Sequence, residues 1–137
     1  MKAIIPALVV TAMLLCSSAK ADIVGEMGHY FFDGPVGPGA VVTLVPQASN
    51  VNGAVLRTCT GASAVGGGVY VIVDKNTPND ASIGSFRAVF AVASPAGTSQ
   101  ASYGTMPFQM NVPAGYGIFI VGHTTGGGML CTWDVLG

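Results

Sequence analysis

Residues 54–73 have the sequence AVLRTCTGASAVGGGVYVIV, and this stretch decides the fold. Two short runs rich in β-branched and apolar residues, 54–60 and 69–73, flank a segment of small residues that ends in three glycines. Apolar runs of this length bounded by glycine are typical of β-strands, because glycine permits the tight turn where a strand ends. The pattern therefore predicts two strands joined by a glycine-rich turn.

A similar arrangement occurs near the C-terminus. Predicted strands at 116–121 and 129–136 enclose a second loop, 123–128, that also ends in three glycines. In both places an aspartate, Asp74 or Asp134, follows six residues after the last glycine. The match is too short to establish a duplication, and a chance similarity remains the alternative. Both glycine triplets are expected to serve tight turns or a close approach of two backbones.

The remaining segments extend the same pattern. Further strands are predicted in the N-terminal segment 23–32 and at 41–45, 86–92 and 106–112. Met106, Phe108, Met110 and Val112 alternate with polar residues, as expected of a half-buried strand. Loops are predicted at 34–39, which contains Pro35 and Pro38, and at 94–104. Since no window has a helical period, we expect an all-β protein, an antiparallel β-sandwich or jelly roll of about seven to eight strands.

The first 21 residues have the features of an export signal. Lys2 precedes a mostly apolar run, 3–15, and Ala19-Lys20-Ala21 matches the small-x-small pattern of a signal-peptidase site. We therefore expect a cleaved bacterial-type signal peptide at 1–21, a single β-sandwich domain at 22–137, and a periplasmic or secreted protein. The apolar run is shorter than the roughly 20 residues of a bilayer span, so no transmembrane segment is expected in the mature chain.

The predicted mature chain carries very little charge. Arg57, Lys75 and Arg87 are its basic residues, against six acidic ones. So few cations cannot neutralise a run of phosphates, which excludes nucleic acid as an expected partner. Apolar strands with few charges to protect them favour a protein partner, or self-association, through a strand edge or an apolar patch.

Two cysteines remain after removal of the leader, which contains Cys16. In an oxidising compartment Cys59 and Cys131 are expected to form a disulfide, with two buried free thiols as the alternative. The bond would close a loop of about 73 residues, worth about 4 kcal/mol in the chain-entropy model. Simple alternation places Cys59 on the same face as Val55 and Arg57, which predicts a bond at the rim of the sandwich.

No motif in the chain specifies catalysis. The Gly-x-Ser-x-Gly pentapeptide is absent from the sequence, and the two histidines, His29 and His123, have no triad spacing. Met27, His29, His123, Met129 and Cys131 include soft ligands suited to copper, but His123 precedes Cys131, which is not the order of a blue-copper site. We therefore predict no catalytic residue, no metal site and no cofactor.

Aromatic residues are the remaining candidates for binding. In the run Tyr30-Phe31-Phe32 at least one ring is expected to face outward, because neighbouring residues of a strand point to opposite faces. Tyr30, Phe32, Tyr103 and His123 are the candidate binding residues. The favoured function is an exported, non-catalytic domain that acts in binding or as a structural or assembly subunit. The alternative is a small extracytoplasmic hydrolase or metal-binding protein whose site is assembled from distant residues.

The leader generates a direct prediction. Mass spectrometry of the protein purified from outside the cytoplasm is expected to show Asp22 as the N-terminal residue, because the peptidase pattern ends at Ala21. A retained leader, or a lipid attached to Cys16, would contradict this prediction.

Overall fold

The computed structural model describes residues 27–79, 88–97 and 99–137. Within these ranges the chain forms one short 3-10 helix, Gln47–Ser49, and nine strands. The strands are β1 (Tyr30–Val36), β2 (Val41–Val45), β3 (Ala54–Ser63), β4 (Gly68–Asp74), β5 (Ala88–Ala93), β6 (Ser102–Thr105), β7 (Met110–Val112), β8 (Gly117–His123) and β9 (Gly127–Val135). The predicted leader, the predicted start at Asp22 and the first two residues of the predicted strand 86–92 lie outside the described residues.

The strands form two antiparallel sheets packed as a sandwich. The first sheet has five strands in the order β1-β9-β3-β6, with β7 also paired to β3, and the second has the order β2-β8-β4-β5. The chain passes repeatedly from one sheet to the other, and this strand order is that of a jelly roll in which β6 and β7 share the place of one strand. The predicted all-β sandwich or jelly roll is confirmed.

The core lies between the two sheets and is filled by the inward residues of each strand. Leu56 and Cys131 of the first sheet pack with Val71, Ile118 and Ile120 of the second, and all five are fully buried. Each fully buried Val, Leu or Ile side chain contributes about 1.5–3 kcal/mol relative to exposure. The apolar residues that face inward along each short strand therefore form the hydrophobic core.

Strand β8 lies between β2 and β4 and is buried on both faces. Ile118 and Ile120 point into the main core, while Phe119 and Val121 form a second buried cluster with Ile72. The absence of charge from this strand is thus explained by a central position.

The predicted disulfide Cys59–Cys131 is confirmed, and it joins directly opposed residues of β3 and β9 whose Cα atoms are 4.2 Å apart. Both cysteines are fully buried in the core, so the expected rim position is wrong. The reason is a β-bulge: the register of β3 with β9 shifts between Leu56 and Thr58. The extra residue, Arg57, changes the phase of the strand and turns Cys59 inward.

The predicted boundaries need correction at two prolines and in the predicted loop 94–104, which contains most of β6 (Ser102–Thr105). The predicted loop at 34–39 overlaps β1, which continues to Val36 through Pro35. β1 is an edge strand, where a missing backbone N–H is tolerated. The predicted strand 106–112 is interrupted at Pro107, so β6 ends before it and β7 begins after it. Met106 is buried as expected, but Phe108 is exposed rather than on the same face.

Three chain connections between the sheets, here called passages, lie together at one end of the sandwich. They join β1 to β2, β3 to β4, and β8 to β9. The Gly39 N–H donates to the Gly122 carbonyl at 2.9 Å, and the Ala64 N–H donates to the Gly126 carbonyl at 3.0 Å. The Thr125 hydroxyl donates to the Val65 carbonyl at 3.0 Å. The two glycine-rich segments of the sequence therefore form neighbouring passages between sheets, and neither is a hairpin.

The passages touch through their backbones, and we call the contact residues Gly122, Gly126 and Gly127 the glycine corner. A Cβ atom at Gly122 would collide with the Gly37 carbonyl oxygen, and one at Gly127 with the Ala62 carbonyl oxygen. At Gly126 the φ angle is +70° and a Cβ atom would collide with the Val36 carbonyl oxygen. Only residues without a side chain allow this packing.

The neighbouring glycine in β9 is different. A Cβ atom at Gly128 would lie 3.9 Å from the Gly34 carbonyl oxygen, which is ordinary contact, and its φ angle is not in the left-handed region. Gly127 and Gly128 thus form a matched pair in one strand. Backbone packing requires the first and not the second.

This pair gives a stability prediction. Gly127→Ala is expected to lower the free energy of unfolding by about 2 kcal/mol or more, because its methyl group meets backbone that cannot move aside. Gly128→Ala is expected to raise it by about 0.5 kcal/mol, because it restricts the unfolded chain without a clash. Denaturant unfolding of both variants checks this, and equal effects of the two substitutions would contradict it.

Candidate functional site

The outer face of the five-stranded sheet carries three exposed large apolar side chains. Phe31 of β1 is 73% exposed, Leu130 of β9 is 38% exposed and Tyr103 of β6 is 80% exposed. Leu130 pairs with Asp33, two residues along β1 from Phe31, so Phe31 and Leu130 are diagonal neighbours about 7–8 Å apart. Together the three side chains form a diagonal strip across the sheet, which we call the apolar band.

A shallow depression of about 400 Å³ lies against this band. Its position follows from the strand register, because Pro35, Gly128, Ala62 and Tyr103 are successive partners in one row across the sheet. The two central members of the row are small and the two outer members are large, which leaves a hollow between them. Leu130 and Asp33 line the hollow on the side of the next row.

Two pairs of threonines join neighbouring strands beside the band. The hydroxyl groups of Thr58 and the fully buried Thr132 lie 2.9 Å apart, and those of Thr60 and Thr105 lie 3.2 Å apart. In each pair one hydroxyl donates to the other, so one hydrogen bond per pair is already made within the sheet.

A polar cluster fastens the other end of the same sheet. Asp134 accepts hydrogen bonds from the His29 backbone N–H at 2.6 Å and from the Arg57 Nε at 2.7 Å. The Arg57 Nη1 also donates to the Gln109 Oε1 at 2.8 Å. Four segments of the sheet are thus joined through one ion pair. The His29 N–H and then the Arg57 guanidinium lower the pKa of Asp134 from its ordinary value of 3.8.

A second cavity of about 260 Å³ opens at the end of the sandwich opposite the glycine corner. Tyr30 and Trp133 stack beside it, with ring centroids 6.1 Å apart and planes inclined by 20°. Leu44, Val45 and Val135 complete a mostly apolar lining. This cavity is smaller than the depression and lies between the sheets rather than on a face.

The four candidate binding residues do not come together. Tyr103 lines the depression and Tyr30 lines the second cavity, whereas Phe32 faces the core and is half-buried. His123 ends β8 in the other sheet, with its Nδ1 2.6 Å from the Thr124 hydroxyl and its ring edge-on to Tyr70. A binding role for these residues remains a prediction.

Sequence reasoning missed Phe31, Leu130 and Gly128. The alternation in 30–32 indicated that one ring points outward, and the exposed ring is Phe31. Its identity depends on the register of β1 with β9, which the local sequence does not contain. Nothing in the sequence distinguishes Gly128 from the two glycines before it.

Within residues 27–79, 88–97 and 99–137, no three side chains of the His, Cys, Asp or Glu type are grouped closely enough to hold a metal ion. Cys131, one of the soft ligands of the sequence, is in the disulfide. In the same described part of the chain, no helix is both long enough and apolar enough to cross a membrane.

Comparisons with known proteins give little beyond the fold. No protein-family model matches the chain, and no curated protein matches it. Two solved structures are similar, each described as a pentameric capsid protein isolated from metagenomic phage sequences. One is 15% identical with a TM-score of 0.47, over 96% of this chain and 79% of that chain; the other is 16% identical with a TM-score of 0.41, over 96% and 80%.

The strand order and the surface together define the class of this protein. It is a small jelly-roll domain with a disulfide in its core and an exposed apolar band on its five-stranded sheet. The fold assignment rests on the pairing of its own strands, and the fold by itself specifies no activity.

The polar cluster predicts an acid-sensitive stability. The folded pKa of Asp134 is lowered, so its contribution is complete well above pH 3.8, decreases as the pH falls below that value, and is lost below the folded pKa. Asp134→Asn is therefore expected to lower the melting temperature at about pH 7, and the deficit should shrink on acidification to about pH 2. Thermal unfolding of both proteins across this range checks it, and a deficit that does not change with pH would contradict it.

Proposed function

We propose that this protein is a non-catalytic assembly or binding subunit that works outside the cytoplasm by packing its apolar band against another protein surface. The observation that carries the proposal is the exposure of Phe31, Leu130 and Tyr103 on one face of the sheet, with Leu130 and Tyr103 lining the same hollow. Scattered exposed apolar residues are normal, but several on one face around a hollow are characteristic of an interaction site.

The contact is proposed at the face of the sheet rather than at a strand edge, because the edges are protected against further pairing. Pro35 lies in the edge strand β1, and β6 and β7 are only four and three residues long. The edge strands β2 and β5 each contain a bulge, at Leu44 and at Val89. All of these features discourage the addition of a strand.

The compartment is supported by two independent features. The leader has the pattern of an export signal, and the disulfide of the mature domain lies in the core between β3 and β9. Disulfides persist in oxidising compartments such as the periplasm and the extracellular space. A buried disulfide between two strands adds stability to a domain of this size, whose hydrophobic core is modest.

The alternative of a hydrolase or a metal-binding protein has less support in the geometry. The two histidines are far apart in the fold, because His29 precedes β1 of the first sheet and His123 ends β8 of the second. The His29 backbone is engaged by Asp134 and the His123 ring by Thr124. Among the hydrogen bonds of the described residues, the His123 ring has the Thr124 hydroxyl but no carboxylate, so the third member of a catalytic triad is not in place there.

Site-specific photo-crosslinking in cells that export the protein tests the proposal. A benzophenone amino acid at position 31 or 103 is expected to yield a discrete protein adduct, because both side chains lie in the proposed contact. Val51 is a control position, since it is 72% exposed and lies in the loop between β2 and β3, away from the band.

The outcomes are distinct. An adduct from positions 31 and 103, but not from 51, supports the proposal, and mass spectrometry of the adduct identifies the partner. The absence of an adduct from position 31 and also from position 103 would overturn the proposal. Equal crosslinking at position 51 would overturn it as well, because the band would then have no special role.

A further inference from the structure

We propose that the depression receives Tyr103 of a second copy of this chain, in a two-fold contact in which each copy inserts its tyrosine into the other. This inference rests on the proposed function and names the partner of the same surface. Three observations carry it: a glycine that the fold does not require, an exposed aromatic residue beside the hollow, and a carboxylate placed in that hollow.

The first observation concerns Gly128. A glycine inside a strand costs about 0.5–1 kcal/mol relative to alanine, and the backbone packing here does not require one. A side chain at this position would instead project outward into the depression, between Pro35 and Ala62. Glycine in a strand is characteristic of a place where another molecule approaches closely. The residue is therefore explained by what enters the hollow and not by the fold.

The second observation is that the surface is complementary to itself. Tyr103 is the most exposed of the large apolar side chains and stands in the same row as the hollow, separated from Gly128 only by Ala62. A two-fold contact requires that one patch contain both members of each interacting pair. A projection adjacent to a hollow satisfies this requirement, because rotation of a second copy places each tyrosine over the other copy's Gly128.

The third observation is the chemistry of the hollow. Its walls at Pro35 and Leu130 are apolar and suit the tyrosine ring, while the carboxylate of Asp33 is the charged group that lines it. A tyrosine hydroxyl that becomes buried needs an acceptor, and a carboxylate provides a strong one. A strongly acidic partner would be repelled by Asp33, and Arg57 at the other end of the sheet is already paired with Asp134.

Complementation between two variants tests the inference. Tyr103→Ser removes the projection and one wall of the hollow but keeps its floor at Gly128 and Ala62, whereas Gly128→Ile fills the hollow and keeps the projection. Ala62→Leu is a second filling variant, in case Gly128→Ile perturbs the strand, and Val51→Ser is the matched control. Sedimentation velocity of the exported protein, over a hundredfold range of concentration, gives the mass of each variant alone and of a 1:1 mixture with one member fluorescently labelled.

The wild-type protein and Val51→Ser are expected to form dimers, and each band variant alone to weaken dimerisation about 30-fold or more. The mixture should recover a heterodimer of intermediate affinity, because one of the two insertions can form again. Failure of the mixture to associate, or a wild-type protein that stays monomeric throughout, would overturn the inference. In that case a crosslinked adduct to a different protein would leave the proposed function standing, and the absence of any adduct would remove both.

Discussion

The structure depends on the contact of backbone with backbone at the glycine corner. Three passages between the sheets can lie side by side only because Gly122, Gly126 and Gly127 have no side chains to separate them. This contact sets how β3 and β9 meet, and hence which residues of the first sheet are opposed. The disulfide, the inward face of the core and the row that forms the depression all follow from that register.

The two ends of β3 show how one sheet serves two purposes. Near its start, the bulge at Arg57 turns Cys59 into the core and leaves the guanidinium outside, where it holds Asp134 and Gln109. Near its end, Ala62 lies in the row of small residues that forms the depression. The covalent bond and the polar cluster stiffen the sheet, so its outer face presents a fixed surface, and a preorganised surface loses less entropy when it binds.

Local pattern predicted the strand content well, because apolar runs and glycine turns are local features. The strand Val41–Val45 and the pairing of Cys59 with Cys131 were both predicted correctly. The position of the disulfide was mispredicted because the bulge at Arg57 depends on pairing with β9, which is distant in sequence. The exposure of Phe108 was missed for a local reason, since Pro107 interrupts the alternating pattern beside it. The apolar band could not be predicted because its members come from β1, β6 and β9 and meet only through register.

We propose that the outer face of the five-stranded sheet is covered when the protein functions. Hydroxyl-radical footprinting of the protein, at its working concentration and after dilution, measures this coverage directly. Phe108 is the internal reference, because it is 63% exposed and lies outside the band. We predict that Phe31 and Tyr103 are protected from oxidation at the working concentration and oxidised after dilution, while Phe108 is oxidised equally under both conditions. If dilution leaves the oxidation of Phe31 and Tyr103 as unchanged as that of Phe108, this coverage is contradicted.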